Sequence, residues 1–332
     1  MDGDARVGAR QLLAPGLSAL GLAVLVGCAQ TPPSPPQQDS DAPVVVTTAP
    51  STAAPSTASA TGPRPTPVPV PTSGSTAPSS AASVTRAPAS VGPADASALA
   101  ASFGKLQASL SGPAGIAVVP VGGRGEAVHW GKSDTGPAWS TAKVPLSIAA
   151  LSSPGPDTQA LVRRAITASD NEAADQLWHQ LGAGKKAAAA VDRVLRAGGD
   201  PVTRTQPAAV RPPYSAFGQT PWALGDQARF AAQLPCQDGA SQVLGLMRQV
   251  DAGQAWGLHR LEGAAIKGGW GPSSGAGYLV RQLAVLPVDG GQLGVAVMVD
   301  SPAGFEAGVR DLDAIAGWVR EHRAELPAGG NC

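Results

Sequence analysis

Ser140 and Lys143 are the residues of this chain whose types and spacing first indicate chemistry. In a helix, side chains three positions apart lie on one face, about a turn apart, so this hydroxyl and this amine would meet. A serine becomes a nucleophile when a neighbouring base takes its proton, and a lysine that loses its charge in a desolvated pocket can be that base. The spacing alone is not specific, because Ser102 and Lys105 share it. Other motifs must therefore decide how Ser140 is interpreted.

Two further polar motifs follow Ser140 along the chain. Ser169-Asp170-Asn171 lies between two apolar helical patterns, and Lys267-Gly268-Gly269 lies within a strand pattern. Alone, the first is typical of a helix N-cap and the second of a charged strand end. With Ser140 and Lys143, and in this order, they resemble the Ser-x-x-Lys, Ser-Asp-Asn and Lys-Thr-Gly motifs of the penicillin-recognising serine enzymes. These comprise class A β-lactamases, penicillin-binding proteins and D-alanyl-D-alanine peptidases, and the resemblance spans about residues 94–325.

The resemblance implies a role for each motif residue. Ser140 is the nucleophile that becomes acylated, and Lys143 is its general base or proton shuttle. Ser169 passes a proton to the leaving nitrogen. Asn171 holds a substrate amide, while Lys267 keeps the cleft positive and orients Ser169.

The resemblance also implies an oxyanion hole, made by the backbone N–H groups of Ser140 and Trp270. Preorganised donors of this kind contribute on the order of 3 kcal/mol each to the transition state. Gly269 and Trp270 complete the predicted substrate-binding set. Trp139 and Trp270 are expected to wall the cleft or, alternatively, to pack in the core.

The third motif departs from the family pattern at Gly268. The family has a threonine here, and its hydroxyl helps to bind a substrate carboxylate. That hydroxyl is missing at this position, and Ser273 or Ser274 is a speculative replacement for it. Carboxylate recognition is therefore expected to be weaker than in the family.

A second departure concerns the carboxylate that activates the deacylating water in class A β-lactamases. No glutamate occurs between Glu172 and Glu262, the interval in which they carry it, and Asp192 or Asp200 could fill the role only by coincidence. In addition, the interval between the first two motifs is short for the family, which implies a reduced helical subdomain. The sequence therefore predicts an acylating enzyme that is not an efficient β-lactamase.

The surrounding sequence predicts the elements that position these motifs. Periodic apolar residues, turn signals and caps indicate an N-terminal helix, two strands, a helical block, three strands and a C-terminal helix. The predicted fold class is α+β: a five-stranded, mostly antiparallel sheet with N- and C-terminal helices and an inserted all-helical subdomain. The predicted segments are helix 94–111, strands 116–121 and 126–130, a helix through Leu151, a helix begun by Thr220-Pro221, and strands 264–270, 278–288 and 293–299.

Residues 1–27 have the order of a bacterial lipoprotein signal peptide. Arg6 and Arg10 precede an apolar run, Leu12 to Val26, that suits a signal core and is short for a membrane span. The run ends in Leu25-Val26-Gly27-Cys28, which resembles a lipobox, whose cysteine is lipidated and becomes the first mature residue. The alternative is a buried apolar segment with an incidental cysteine.

Residues 28–93 predict a disordered tether that leads to a folded domain at 94–332. They are almost entirely proline, serine, threonine, alanine, valine and glycine, with four charges and no aromatic residue. Such a segment cannot bury enough apolar surface to fold. We expect it to hold the domain away from the extracytoplasmic face of the cell membrane.

Charge and cysteine content limit the partners. The formal net charge is zero and no basic run stands out, so nucleic acid is not expected as a partner. With Cys28 assigned to lipid, Cys236 and Cys332 remain, and in an exported protein we expect them to form a disulfide near Leu234. The four histidines have no paired ligand spacing, so neither a metal nor a cofactor is expected.

The sequence therefore predicts a lipid-anchored, monomeric serine hydrolase or acyl-transferase. It would act through an acyl-enzyme on a cell-wall peptide, amide or ester. The alternative is a non-catalytic envelope lipoprotein that keeps the fold and uses the cleft for binding.

Overall fold

The computed structural model describes residues 93–275 and 277–332. The signal peptide, Cys28 and the tether as far as residue 92 lie outside the described residues, so they stay predictions. Within the described part, no helix has the length and apolarity to cross a membrane.

The described residues form eight α-helices and seven strands. The helices are α1 Pro93–Gln107, α2 Lys143–Leu151, α3 Thr158–Thr167, α4 Asn171–Gln180, α5 Gly184–Ala197, α6 Leu224–Gln233, α7 Ser241–Met247 and α8 Phe305–Glu321. The strands are β1 Ala114–Pro120, β2 Val128–Gly131, β3 Thr135–Pro137, β4 Pro221–Ala223, β5 Ala265–Pro272, β6 Tyr278–Val288 and β7 Gly291–Ser301.

Five strands form one sheet in the order β2-β1-β7-β6-β5, and every neighbouring pair is antiparallel. One core lies between this sheet and the terminal helices α1 and α8. Other cores lie on the opposite face, against α6 and the inserted helices. The predicted α+β class, with its five-stranded sheet and helical subdomain, is confirmed.

Alternation along β5 decides which side chains face the helical subdomain. Ile266 packs in the core on the α8 side. Because successive side chains of a strand point to opposite faces, Lys267 and Gly269 face the helical subdomain and Trp270 faces α8. The strand is at the edge of the sheet, so its outer side is available to the turn that carries Ser140.

The prediction that Thr220-Pro221 begins a helix is wrong. Pro221–Ala223 is instead a short strand paired with Thr135–Pro137, and α6 begins three residues later, at Leu224. The Trp222 side chain is buried, and the backbone on both sides of the strand is held by hydrogen bonds to the segment before Ser140. These tertiary contacts override the local cap signal.

The predicted disulfide between Cys236 and Cys332 is present in the structure. Cys236 ends the 3-10 turn Leu234–Cys236 that follows α6, which agrees with the expected position. Next to the bond, Gly330 pairs with Gln292 at the start of β7. The C-terminus is thereby fixed to both the sheet and α6.

A buried arginine on β6 connects the sheet to the segment before Ser140. Arg281 is fully buried; its Nη1 donates to the carbonyls of Gly136 (2.9 Å) and Pro137 (3.0 Å). Its Nη2 donates to the carbonyl of Trp222 (3.1 Å) and to Gln227 Oε1 (2.7 Å). We call Arg281 and these four acceptors the arginine clamp.

The clamp is connected to the turn that carries Ser140 through Thr141. Gln227 Nε2 donates to Thr141 Oγ1 (2.9 Å), which in turn donates to the carbonyl of Ala138. Burial lowers the pKa of Arg281 to about 9, so the guanidinium stays charged at pH 7. Within the described residues it has no carboxylate partner and relies on neutral acceptors.

We predict that Arg281→Ala lowers the free energy of unfolding by about 3 kcal/mol or more, because buried acceptors lose charged donors. Urea unfolding of the oxidised domain measures this loss. Arg310→Ala, which removes an exposed arginine from α8, is the control and should change stability by about 0.5 kcal/mol or less. Equal effects of the two substitutions would contradict the assigned role of the clamp.

Candidate active site

Ser140 lies in a 3-10 turn, Trp139–Ala142, that runs directly into α2. The backbone N–H of Lys143 donates to the carbonyls of Ser140 and Thr141, so the turn and the helix are continuous. Ser140 and Lys143 therefore lie on one continuous helical surface, as their spacing predicts.

Trp139 sets the direction of this turn. Its φ is +47°, a conformation that is uncommon for a non-glycine residue. Its indole lies against the backbone of Gly271, where an added Cβ would be 2.5 Å from Cε2, and meets the Tyr214 ring edge-on with centroids 5.2 Å apart. Packing thus holds the residue before Ser140 in a strained conformation, a feature that clusters at functional sites.

The β5 backbone approaches the turn closely at Gly269. A Cβ at this position would lie 2.9 Å from both Ser140 N and Thr141 N, so only glycine fits. The Ser140 N–H has no backbone acceptor within the described residues and is available to a ligand. This N–H is one of the two donors expected in the oxyanion hole.

Ser169 occupies the position after α3 that usually takes glycine. The N–H groups of Ala168 and Asp170 both donate to the Arg164 carbonyl, at 3.1 and 3.2 Å, while Ser169 has φ +59°. This is a helix end in which a left-handed residue reverses the chain. Asp170 then caps α4 by accepting from the N–H of Ala173 (3.0 Å). The arrangement places the Ser169 side chain in the protein interior.

The Ser169 hydroxyl lies between two buried lysines. Lys267 Nζ donates to Ser169 Oγ (2.9 Å) and to the Gly268 carbonyl (2.9 Å). Lys143 Nζ lies 3.3 Å from the same Oγ and donates to the Ser169 carbonyl and to Asn171 Oδ1 (2.7 Å). The structure therefore brings together four of the predicted site residues in one hydrogen-bonded group.

Ser140 lies beside this group without a hydrogen bond to it. Its hydroxyl bonds to none of the described residues, and the Lys143 amine is directed at Ser169 and Asn171. To take the Ser140 proton, Lys143 must be neutral and must turn its lone pair toward Ser140.

Burial provides the neutral amines that this chemistry needs. It lowers the pKa of Lys143 to about 7, and the charges of Asp170 and Asp175 oppose part of that shift. Burial, and then the charge on Lys143, lower the pKa of Lys267 well below its ordinary value. Two like charges joined through one hydroxyl cannot both persist, so the group can accept a proton at neutral pH. The positive charge expected on Lys267 would then require an anionic group in the cleft.

At the level of sequence, no family model and no curated protein matches the chain. Solved structures do match. A mutant class A β-lactamase of the last common ancestor of Gram-negative bacteria is 20% identical with a TM-score of 0.51, over 68% of this chain and 98% of that one. The β-lactamase from Streptosporangium roseum is 18% identical with a TM-score of 0.52, over 69% and 100%. The β-lactamase from Xanthomonas campestris pv. campestris is 18% identical with a TM-score of 0.51, over 68% and 98%.

The fold is that of the class A β-lactamases. At identities this low the likeness concerns the fold, and the roles of individual residues rest on the geometry described above. The predicted resemblance to the penicillin-recognising serine enzymes is thus confirmed at the level of fold.

Within this β-lactamase fold, a tryptophan fills the space beside Gly268. A Cβ on Gly268 would lie 2.9 Å from Cζ2 and 3.0 Å from Cη2 of Trp256. The Trp270 ring joins the same aromatic cluster, at 6.1 Å from Trp256 and 5.3 Å from Phe305 between centroids. Trp270 therefore packs on the α8 side of β5, which is the core-packing alternative for its side chain.

The sequence offered aspartates as substitutes for the missing glutamate and serines as substitutes for the missing threonine hydroxyl. Asp192 accepts from the Thr205 N–H (2.8 Å), and Asp200 accepts from the Trp222 indole (2.9 Å). Both aspartates hold the loop after α5, and neither bonds to Lys143. Ser273 is buried, and its hydroxyl has no partner within the described residues.

The sequence interpretation missed the arginine clamp. Arg281 and Gln282 interrupt a largely apolar strand, and a charge buried in a strand must find hydrogen-bond partners. A charged residue within a buried strand could have identified Arg281 as a residue that connects the sheet to other segments. Its acceptors Gly136, Pro137 and Gln227 could not be identified, because they come from distant parts of the chain.

We predict that Gly268→Thr lowers the free energy of unfolding by about 1–3 kcal/mol, because its side chain overpacks Trp256. In the double variant Gly268→Thr/Trp256→Ala, the loss should be smaller than the sum of the single losses by about 1 kcal/mol or more. Urea unfolding measures both terms. Gly104→Thr is the control, since no atom lies within 4 Å of a Cβ at Gly104. Additive effects at residues 268 and 256 would contradict the proposed steric exclusion.

We predict that the rate of Ser140 acylation by an excess of a fluorescent penicillin rises with pH through about 7, because only the neutral Lys143 amine can accept a proton. Lys143→Arg should lower the rate by about 10²-fold or more, because the guanidinium stays protonated. Lys105→Arg, on the exposed side of α1, is the matched control and should retain the wild-type profile. An unchanged profile in Lys143→Arg would exclude Lys143 as the base.

Proposed function

We propose that this chain is a serine hydrolase or acyl-transferase that forms an acyl-enzyme on Ser140. The observation that carries the proposal is the Ser169 hydroxyl bonded between two buried amines beside the Ser140 turn. Such a group can remove one proton from a nucleophile and deliver another to a leaving group. The β-lactamase-like fold supports the same reaction class.

The acylation step uses each member of this group. Neutral Lys143 takes the hydroxyl proton of Ser140 as Oγ forms a bond to the substrate carbonyl carbon. The carbonyl oxygen becomes negative and is stabilised by the Ser140 N–H. Ser169 gives its proton to the leaving nitrogen or oxygen, the bond from the carbonyl carbon to that atom breaks, and the proton held by Lys143 replaces the one that Ser169 lost.

We propose a cell-wall peptide, or another amide or ester, as the substrate, with slow turnover of penicillins. Two features support slow turnover. Gly268 offers no hydroxyl to a substrate carboxylate, and Trp256 occupies the space where one would project. In addition, no glutamate occurs between Glu172 and Glu262 to activate a deacylating water.

We also propose that the protein acts as a monomer at the extracytoplasmic face of the membrane, held there by a lipid on Cys28. The charged start, apolar core and lipobox-like end of residues 1–28 support the anchor. The proline-rich composition of residues 28–93 supports a tether long enough to reach the cell wall.

The decisive experiment labels the full-length protein with a fluorescent penicillin and, separately, with a fluorophosphonate. We expect a stable adduct on wild type and on Ser102→Ala, and none on Ser140→Ala. Ser102 has the same spacing to a lysine but bonds to His322 (2.7 Å) and Trp318 (3.0 Å), so it is a matched control. Absence of any Ser140-dependent adduct would overturn the proposal. Binding of a cell-wall peptide that survives Ser140→Ala would then favour the non-catalytic alternative.

A further inference from the structure

Asp175 lies on α4, one helical turn after Asn171. With about 100° of rotation per residue, Asn171, Asp175 and Trp178 fall within ~60° of the helix circumference. Asn171 accepts from Lys143 (2.7 Å), and the Trp178 ring packs on Phe217 with centroids 5.5 Å apart. Asp175 lies between these two anchors on the helix surface.

The 3-10 turn Phe217–Gln219 also contacts the turn Trp139–Ala142, which carries Ser140. A Cβ on Gly218 would lie 3.6 Å from the Cα of Trp139, the residue before Ser140. The two residues on either side of Asp175 along the helix are therefore connected to the candidate site. Asn171 bonds to Lys143, and Trp178 contacts the Phe217 turn, which lies against Trp139. The Asp175 side chain is exposed on this part of the helix surface.

Other carboxylates near the site have partners that hold them away from it. Asp170 caps α4 and pairs with Arg164. Glu172 is turned about 100° from Asn171, toward Arg164, which lies 4.0 Å away. By contrast, the Asp175 carboxylate makes no hydrogen bond or ion pair with any described residue, although its charge reaches Lys143. Asp175 is thus the described acid near Lys143 that is free to hold a water.

We propose that Asp175 activates the water that releases the acyl group from Ser140, an inference that rests on the acyl-enzyme proposed above. Asp175 accepts a proton from water as the water oxygen forms a bond to the acyl carbon. The bond between that carbon and Ser140 Oγ then breaks. The proton that Asp175 accepted passes by way of Lys143 to Ser140 Oγ, which returns both side chains to their starting states, and the product leaves as an acid.

The environment of Asp175 suits a base for water. Desolvation raises the pKa of Asp175 above its ordinary value, and the charges of Lys143 and His179 limit that rise. A more basic carboxylate accepts a proton from water more readily. Asp175 also lies on a rigid helix, at a position fixed by Asn171 and Trp178.

The test measures release separately from acylation. Full-length protein is labelled with a fluorescent penicillin, the excess is removed, and the half-life of the adduct is followed by intact-mass spectrometry. We expect Asp175→Asn to form the Ser140 adduct and to release it more slowly than wild type, by about 10²-fold. Asp175→Glu, which keeps a carboxylate, should release it faster than Asp175→Asn. Glu172→Gln removes a carboxylate from the same helix and should match wild type.

The possible failures are distinguishable. If wild type forms no Ser140-dependent adduct, the proposed function fails and this inference fails with it. If the adduct forms and Asp175→Asn releases it at the wild-type rate, only the role of Asp175 is overturned. The role is also overturned if Asp175→Asn, folded by circular dichroism, no longer forms the adduct, because Asp175 would then serve acylation.

Discussion

The candidate site depends on two lysine amines that share one serine hydroxyl in the protein interior. Lys143 and Lys267 are each no more than 1% exposed. Burying two ammonium groups without counter-charges would cost several kcal/mol, so the protein relieves the cost by shifting their pKa values downward. The resulting neutral amines are the groups of the site that can accept a proton. The surrounding structure keeps these two amines out of contact with bulk solvent and fixes their positions.

Close approach of the backbone contributes to the burial of the two amines. The β5 edge can press against the Ser140 turn because Gly269 has no side chain, and the Trp139 ring covers Gly271 next to it. On the opposite face of the strand, Trp256 fills the space at Gly268. Three glycines in one strand would ordinarily weaken it, and here each faces an aromatic ring or a backbone segment. The strand therefore gains from packing what it lacks in intrinsic propensity.

The sequence predicted the parts of this protein that local patterns encode. The strand and helix periods indicated the α+β fold. The order of the three motifs indicated five candidate site residues, four of which the structure joins by hydrogen bonds: Lys143, Ser169, Asn171 and Lys267. It did not predict that Pro221–Ala223 would be a strand, because that strand exists only through its pairing with Thr135–Pro137. It did not predict the arginine clamp for the same reason. These features depend on contacts between residues far apart in the chain, which no local pattern records.

Two of the four described non-glycine residues with a left-handed backbone, Trp139 and Ser169, belong to the candidate site. Ser169 has φ +59° and Trp139 has φ +47°, positions at which glycine would be less strained. Each such conformation costs about 1–3 kcal/mol and persists only when the surroundings impose it. In both cases the side chain that glycine would lack has a use: the Ser169 hydroxyl bridges the two amines, and the Trp139 ring closes the site against β5. The helix end at Arg164 and the packing of Trp139 on Gly271 offset the strain, so the surrounding packing fixes the geometry of the candidate site.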